Sequence, residues 1–348
     1  MFKRDFHHLR EYRMRRLLAW ICLAFALLMI IGVIVYSFQT GIIHGFGGRG
    51  TSAQSIPGFS QGSDSPCTTT HSAGDSLLKI SSGGVKRSFV LHLPTAYGQQ
   101  TLPLVINYHG YDSSAAKYES YTNMGAEADK ANFIVVFPQG ALDNNTPQPK
   151  PSWNAGIGAG GPTGLTDDVQ FTRNMLSYLE KNYCIDSHRI YVTGYSIGGS
   201  MAYRIACEMS SQIAALATVE GAFYHIPPGG CQASRSVPVL EIHSLADQYA
   251  PYNGSPARDL ISVPTFLNLW FSIDQCNANA SQTIFQKADV TGYKWSKCTN
   301  GTVVEHYKIS DGGHVWAGSS TPIPSLGYTT HTIDANVVIW DFFSGFKS

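Results

Sequence analysis

Charge is scarce in this chain and favours neither sign. Only 14% of its 348 residues are Asp, Glu, Lys or Arg, with 24 acidic groups against 24 basic ones. Such a chain has no long-range field with which to gather nucleic acid or anionic surfaces. Metal-ligand spacings are missing too. Neither C-x-x-C nor H-x-x-x-H occurs among the seven cysteines and twelve histidines, so no metal is expected, and no cofactor either. No internal repeat of 20 to 50 residues is visible, which argues against solenoids and propellers. Disorder is excluded by what is present. A hydrophobic share of 43% is enough to bury a large core in one or two domains.

The first 16 residues break the charge balance, with Lys3, Arg4, Arg10, Arg13, Arg15 and Arg16 against Asp5 and Glu11. Leu17 to Phe38 then runs 22 residues without a charge, long enough to span a bilayer. A cleavable signal peptide has a shorter apolar region and an A-x-A-like site. Here the run ends in Tyr36-Ser37-Phe38-Gln39-Thr40, so an uncleaved signal anchor is expected, with secretion as the alternative if it is cut. The basic flank places residues 1–16 in the cytoplasm and everything after residue 40 outside, on a single-pass membrane protein. Gln39 to Pro66 is half Gly, Ser and Pro and reads as a tether, so the folded domain is expected over residues 67–348. Beyond Cys22 in the apolar run lie Cys67, Cys184, Cys207, Cys231, Cys276 and Cys298, an even set that suits an oxidising compartment. Six cysteines allow 15 pairings. The first choices are Cys276 with Cys298, Cys207 with Cys231, and Cys67 with Cys184.

Within the domain, hydrophobic runs alternate with helical patterns. Arg87 to Leu93 alternates as a strand, while Leu102 to Tyr108 (LPLVINY) and Phe133 to Phe137 are apolar enough for strands buried on both faces. Lys117 to Ala131 has a helical period. Thr166 is placed to cap a helix over Asp167 to Tyr183. Short strands follow at Ala215 to Val219, Val237 to His243 and Val303 to Ile309, with helices at Pro264 to Asp274 and Asp334 to Phe343. Buried strands alternating with helices predict an α/β fold with a mostly parallel sheet, whose ligands bind at the carboxyl ends of strands.

One stretch joins strand, turn and helix around a serine. Ile190-Tyr191-Val192-Thr193 leads into Gly194-Tyr195-Ser196-Ile197-Gly198, and the small residues Gly199, Ser200 and Ala202 open a helix. This is the context of a nucleophile elbow, in which flanking glycines allow a sharp turn that projects the serine hydroxyl. Gly58-Phe59-Ser60-Gln61-Gly62 fits the same five-residue pattern but lies in the tether, with no strand before it and no helix after it. Ser60 is therefore read as a linker serine.

A serine hydroxyl needs a base, and the base needs a carboxylate to fix its tautomer. His314, in Asp311-Gly312-Gly313-His314-Val315-Trp316, comes directly after the last predicted strand. Asp247 follows the strand Val237 to His243, whereas Asp259, Asp274 and Asp289 follow no core strand and Asp311 is too near His314 in sequence. The chain order Ser196, Asp247, His314 is that of α/β-hydrolases. An oxyanion would be held by the backbone N–H of Ile197 and by that of Tyr111, in the His109-Gly110-Tyr111 turn after the strand Leu102 to Tyr108.

These pieces occur together in one known family. Tyr108-His109-Gly110, Trp153-Asn154-Ala155-Gly156, Asp167-Asp168-Val169, Gly194-Tyr195-Ser196-Ile197-Gly198-Gly199, Leu245-Ala246-Asp247 and Gly312-Gly313-His314-Val315-Trp316 are similar, in order and context, to the secreted polyhydroxybutyrate depolymerase and feruloyl esterase family of carbohydrate esterase family 1. The resemblance covers about Cys67 to Phe343. It implies an α/β-hydrolase fold, a Ser196-His314-Asp247 triad and a small or oligomeric ester as substrate. Departures are His243-Ser244 where His-Gly is usual, Gln248 where proline often follows the aspartate, Ala317 after Trp316, and no paired cysteines after Trp153. Trp153, Tyr195 and Trp316, with Tyr111, are placed near the cleft, to line it for a substrate or to pack beneath it. An acyltransferase would use the same triad, and a non-catalytic surface protein the same scaffold.

Overall fold

The computed structural model describes residues 71–144, 147–156, 166–225 and 230–348. The predicted membrane helix, the tether with Ser60, and Cys67 lie outside these residues. Among the described residues, no helix is long and apolar enough to cross a membrane.

Among the described residues, ten strands form one sheet: β1 (Gly74–Ser82), β2 (Val85–Leu93), β3 (Leu102–Tyr108), β4 (Ile134–Pro138), β7 (Ile185–Tyr195), β8 (Ala215–Val219), β9 (Val239–Ser244), β10 (Ser281–Lys287), β11 (Val290–Trp295) and β12 (Val304–Ile309). Their spatial order is β1-β2-β4-β3-β7-β8-β9-β12-β11-β10. The six central strands, β4 to β12, are parallel, and antiparallel hairpins close both edges. β5 (Ala141–Asp143) and β6 (Lys150–Ser152) form a separate small ribbon. Every residue of β3, β4, β8 and β9 is buried, as continuous apolar runs between two helical layers require.

The helices divide between the faces. One core packs α3 (Asp168–Asn182), α4 (Ile197–Glu208) and α5 (Val263–Ile273), through Phe171, Met201 and Trp270 among others. The other packs α1 (Ala115–Thr122), α2 (Met124–Ala131) and α6 (Ala335–Phe343), through Tyr118, Ala128 and Ile339. The sheet therefore has both faces covered and offers only its strand ends to a ligand.

Several local readings change. The helix predicted over Lys117 to Ala131 is two helices, broken where Asn123 adopts a left-handed conformation with φ 52°. Asparagine tolerates that region better than most residues, and periodicity alone does not register it. α3 is capped by Asp167, whose carboxylate accepts the Gln170 N–H, so Thr166, the expected cap, lies one residue before the actual one. The edge strands β1, β10 and β11 were not anticipated: β1 and β10 are largely exposed and β11 is mostly half-buried, so none carries a clear hydrophobic pattern. Two disulfides match the first choices: Cys207 with Cys231, and Cys276 with Cys298.

The strand-to-helix turn depends on bare backbone. A Cβ on Gly198 would lie 2.1 Å from the Tyr108 carbonyl oxygen and 2.5 Å from that of His109. Both obstacles are main chain at the end of the central strand β3 and have nowhere to move. Gly198→Ala is expected to lower stability by about 3 kcal/mol, as overpacking against rigid backbone does, and to part the two loops. Urea unfolding of the variant checks the loss; a midpoint unchanged from that of the parent protein would show that the turn can relax.

Candidate active site

The carboxyl ends of five adjacent parallel strands, β3, β7, β8, β9 and β12, bring the polar residues together. Ser196 stands between β7 and α4 with φ 58° and ψ −126°, a strained conformation for a side-chain-bearing residue. The strain is held by main-chain bonds. Ser196 N–H donates to the Val219 carbonyl at 3.2 Å, and its carbonyl accepts from Gly199 at 2.9 Å and Ala222 at 3.0 Å. The loop after β3 crosses close by, since a Cβ on Gly110 would meet the Tyr195 ring at 2.9 Å and the Ser196 Cβ at 3.4 Å. Tyr111 and Ile197 flank this crossing. Among the described residues, neither N–H has a backbone acceptor outside regular helices and strands.

His109 fixes that loop. Its Nε2 accepts the Gly140 N–H at 2.9 Å, so the ring proton lies on Nδ1 and is donated to the Gly110 carbonyl at 2.7 Å. Burial pushes its pKa down to about 4, so the ring is neutral. Trp153 Nε1–H donates to the His109 carbonyl at 2.7 Å.

His314 follows β12, and its Nδ1 is 2.6 Å from Asp247 Oδ2. The other carboxylate oxygen of Asp247 accepts the N–H groups of Tyr249 at 2.7 Å and Ala250 at 2.8 Å. Burial works against this charge. The hydrogen bond and charge of His314, and then the charge of His243, outweigh it and hold the Asp247 carboxyl below its usual range. On the far side, His314 is held by its own backbone: its N–H donates to Leu326 at 2.7 Å and its carbonyl accepts the Tyr195 hydroxyl.

Beneath Asp247 lies a buried ionic cluster on β9. His243 Nδ1 is 2.8 Å from Glu241 Oε1, and its Nε2 is 2.7 Å from the Ala250 carbonyl oxygen. A carbonyl only accepts, so Nε2 carries a proton. The Glu241 carboxylate on the opposite nitrogen favours a second, making an imidazolium. Burial resists that charge, but the Glu220 and Asp247 carboxyls, which together keep one negative charge, and then Glu241 outweigh it and lift the His243 pKa to about 10.

The aromatic residues expected to line the cleft are placed differently from the sequence reading. Trp153 and Trp316 are each 0% exposed, so neither presents a ring face to a substrate. Trp153 packs edge-on against Tyr108, and Trp316 packs edge-on against Tyr118 with its Nε1–H on Asn336. Tyr195 is 7% exposed and spends its hydroxyl on His314. All three support the site from behind, the packing alternative for these positions. Exposed rings do occur at Tyr111, Tyr249 and Tyr328. Tyr249 lies 5.5 Å from the His314 ring and, with Gln248, Gly313, Leu326 and Tyr328, lines a cavity of about 330 Å³. Sequence reasoning passed over Tyr249 and Tyr328. The available signal was the position of Tyr249, two residues past Asp247.

Strand order, helices on both faces and an elbow after β7 make this an α/β-hydrolase fold. The acetyl xylan esterase from Aspergillus awamori shares it, with a TM-score of 0.52 at 14% identity over 77% of this chain and 99% of that one. Within this class, the chain belongs to the family described as esterase PHB depolymerase, whose model matches residues 87–283. Feruloyl esterase B of Piromyces equi is 30% identical over 240 residues, 66% of this chain and 42% of that protein. The bifunctional acetylxylan esterase/xylanase XynS20E of Neocallimastix patriciarum is 26% identical over 265 residues, 75% of this chain and 33% of that protein. The match thus spans less than half the length of either relative.

The buried imidazolium makes stability depend on pH in a defined direction. A folded-state His243 pKa of about 10, above its unfolded value, gives stabilisation that is complete below the unfolded value and is lost as pH rises through about 10. Asp274 and Glu119, both raised by burial to about 7, have largely finished titrating by about pH 8. Unfolding free energy is expected to fall between about pH 8 and 10, with a flatter profile in His243→Gln. Chemical denaturation across that range checks it, and equal slopes in the two proteins would contradict a charged His243.

Proposed function

We propose that the chain is an extracytoplasmic serine esterase that hydrolyses carboxylic esters through an acyl-enzyme. The observation that carries this reading is the 2.6 Å His314–Asp247 hydrogen bond, formed beside the strained elbow serine. Asp247 fixes the tautomer of His314, leaving Nε2 as the base that takes the Ser196 proton. Ser196 attacks the ester carbonyl, and the N–H groups of Ile197 and Tyr111 receive the developing oxyanion. Each such donor is worth about 10²-fold or more in rate. His314 then protonates the leaving alcohol, and water repeats the sequence to release the acid.

Family membership and the relatives' activities on feruloyl and acetylxylan esters support an ester of the feruloyl-esterase or polyhydroxybutyrate-depolymerase type. The cavity beside His314, walled by Tyr249 and Tyr328, has room for a group of aromatic-ring size. The two disulfides support a location outside the cytoplasm, on the outer face of a membrane that the Leu17 to Phe38 helix would span.

The test is hydrolysis of methyl ferulate, an acetylated sugar and a 3-hydroxybutyrate oligomer by the full chain and by Ser196→Ala. The parent is expected to hydrolyse at least one of the three. The variant should keep its fold and lose at least about 10⁴-fold in kcat. Retained turnover in Ser196→Ala would remove the assignment, and Ser60→Ala should match the parent.

A further inference from the structure

A third carboxyl lies behind the proposed triad. Glu220 directly follows β8, the strand between those that lead to Ser196 and Asp247. It is fully buried and adopts φ 47°, an uncommon conformation for a residue with a side chain. Both of its carboxyl oxygens lie 3.0 Å from the Ser244 N–H, and Glu220 Oε2 and Asp247 Oδ2 approach the same nitrogen, His243 Nε2, at 3.5 Å and 3.6 Å. One polar atom each from Glu220, Asp247 and His314 falls within a cluster 4.8 Å across.

Two carboxyls brought this close away from water hold a proton between them, because like charges at that distance do not both ionise. The remaining donors decide which one keeps it. Asp247 accepts from His314, Tyr249 and Ala250, three bonds that favour its anion. Glu220 accepts only the Ser244 N–H, and the nearest cation, His243 Nε2 at 3.5 Å, has its proton on the Ala250 carbonyl. The other ionisable groups facing Glu220 are the buried phenols of Tyr121 and Tyr195, which bring no positive charge. The proton therefore rests on Glu220. Burial, the leading cause, moves this carboxyl well above its usual range, in the same direction.

We infer that Glu220 is a positioning residue for the proposed esterase, a neutral carboxylic acid whose O–H is donated to Asp247 and fixes the carboxylate that orients His314. The inference rests on the triad reading above. The donated hydrogen bond also withdraws part of the Asp247 charge. Without it, His314 faces a fuller negative charge, takes up a proton more readily and loses its base form at higher pH. An ionised Glu220 would act with the opposite sign, since its removal would take a negative charge away from His314.

The experiment is the pH profile of kcat/KM on an activated aryl acetate for the full chain, Glu220→Ala, Glu220→Gln and Ser196→Ala. Glu220→Ala is expected to lose roughly tenfold or more in kcat/KM and to move the acid limb upward by about half a pH unit. Glu220→Gln keeps an N–H donor at that place and should recover most of the rate and return the limb. A limb that stays put or moves downward in folded Glu220→Ala overturns the inference. If the alanine variant does not fold, the infrared difference spectrum of Glu220→Gln against the parent decides. Loss of the C=O stretch of a buried protonated carboxyl is expected, and its absence overturns the inference. Ser196→Ala separates the two readings. Activity surviving in that variant removes the triad and the role of Glu220 together, whereas an inactive Ser196→Ala beside an unmoved limb in Glu220→Ala removes only the latter.

Discussion

The loop after β3 and the first turn of α4 share a space that admits no side chain. Gly198 faces the carbonyls of Tyr108 and His109 at distances that even a methyl group would close, and Gly110 meets Tyr195 and Ser196 in the same way. This contact sets where Ser196 stands relative to the N–H groups of Ile197 and Tyr111. The contact is braced from several directions. His109, held neutral by burial, clamps Gly110 on one side and Gly140 on the other, while Trp153 holds the His109 carbonyl. The chain following Trp153 is tied in turn: the Asn154 N–H donates to Asp168, which pairs with Arg87 of β2 at 2.7 Å. A buried ion pair of this kind costs desolvation and contributes registry more than stability. Here it joins a strand, a helix and the loop whose tryptophan supports the elbow crossing.

Electrostatics under Asp247 follow a similar logic. A carboxylate buried against His314 alone would pay heavily for leaving water. The cluster on β9 offsets this by placing His243 3.6 Å from the same carboxylate oxygen and Glu241 on the opposite side of His243. His306 of the neighbouring strand β12 approaches Glu241 at 2.9 Å and extends the network toward Tyr252. The Ser244 that stands where glycine is usual in the family is part of the same arrangement. Its N–H serves Glu220, and its hydroxyl bonds the Gly312 carbonyl two residues before His314. This departure from the family pattern thus bears on how the His314 loop is held.

Legibility in the sequence tracked the range of the interactions involved. LPLVINY read as a strand buried on both faces because its apolar run is continuous, and it is β3 with no change of boundary. The elbow read correctly because strand, glycine, serine and helix are adjacent in the chain. Asp247 and His314 were found because strand ends can be counted in order, and they hydrogen-bond as that order implied. Asn123 was missed since the choice between one bent helix and two rests on a single backbone conformation. The hairpin of β10 and β11 was missed because its residues are mostly polar and its pairing is made with a strand beyond it. Trp153, Tyr195 and Trp316 were left open between lining the cleft and packing beneath it, and their burial decides for packing.

Those aromatic residues mark the division between sequence and tertiary structure in this protein. Hydrophobic period, glycine spacing and the order of strand-end residues depend on neighbours in the chain, and they determined the α/β-hydrolase class and singled out Ser196, Asp247 and His314 as candidates. Which aromatic ring faces solvent, and which buried carboxyl meets another, depend on how the ends of separate strands converge. Tyr249 and Tyr328 became cavity walls, and Glu220 came to lie against Asp247, only when residues far apart in sequence were brought within a few ångströms by the packing of two helical layers on one sheet.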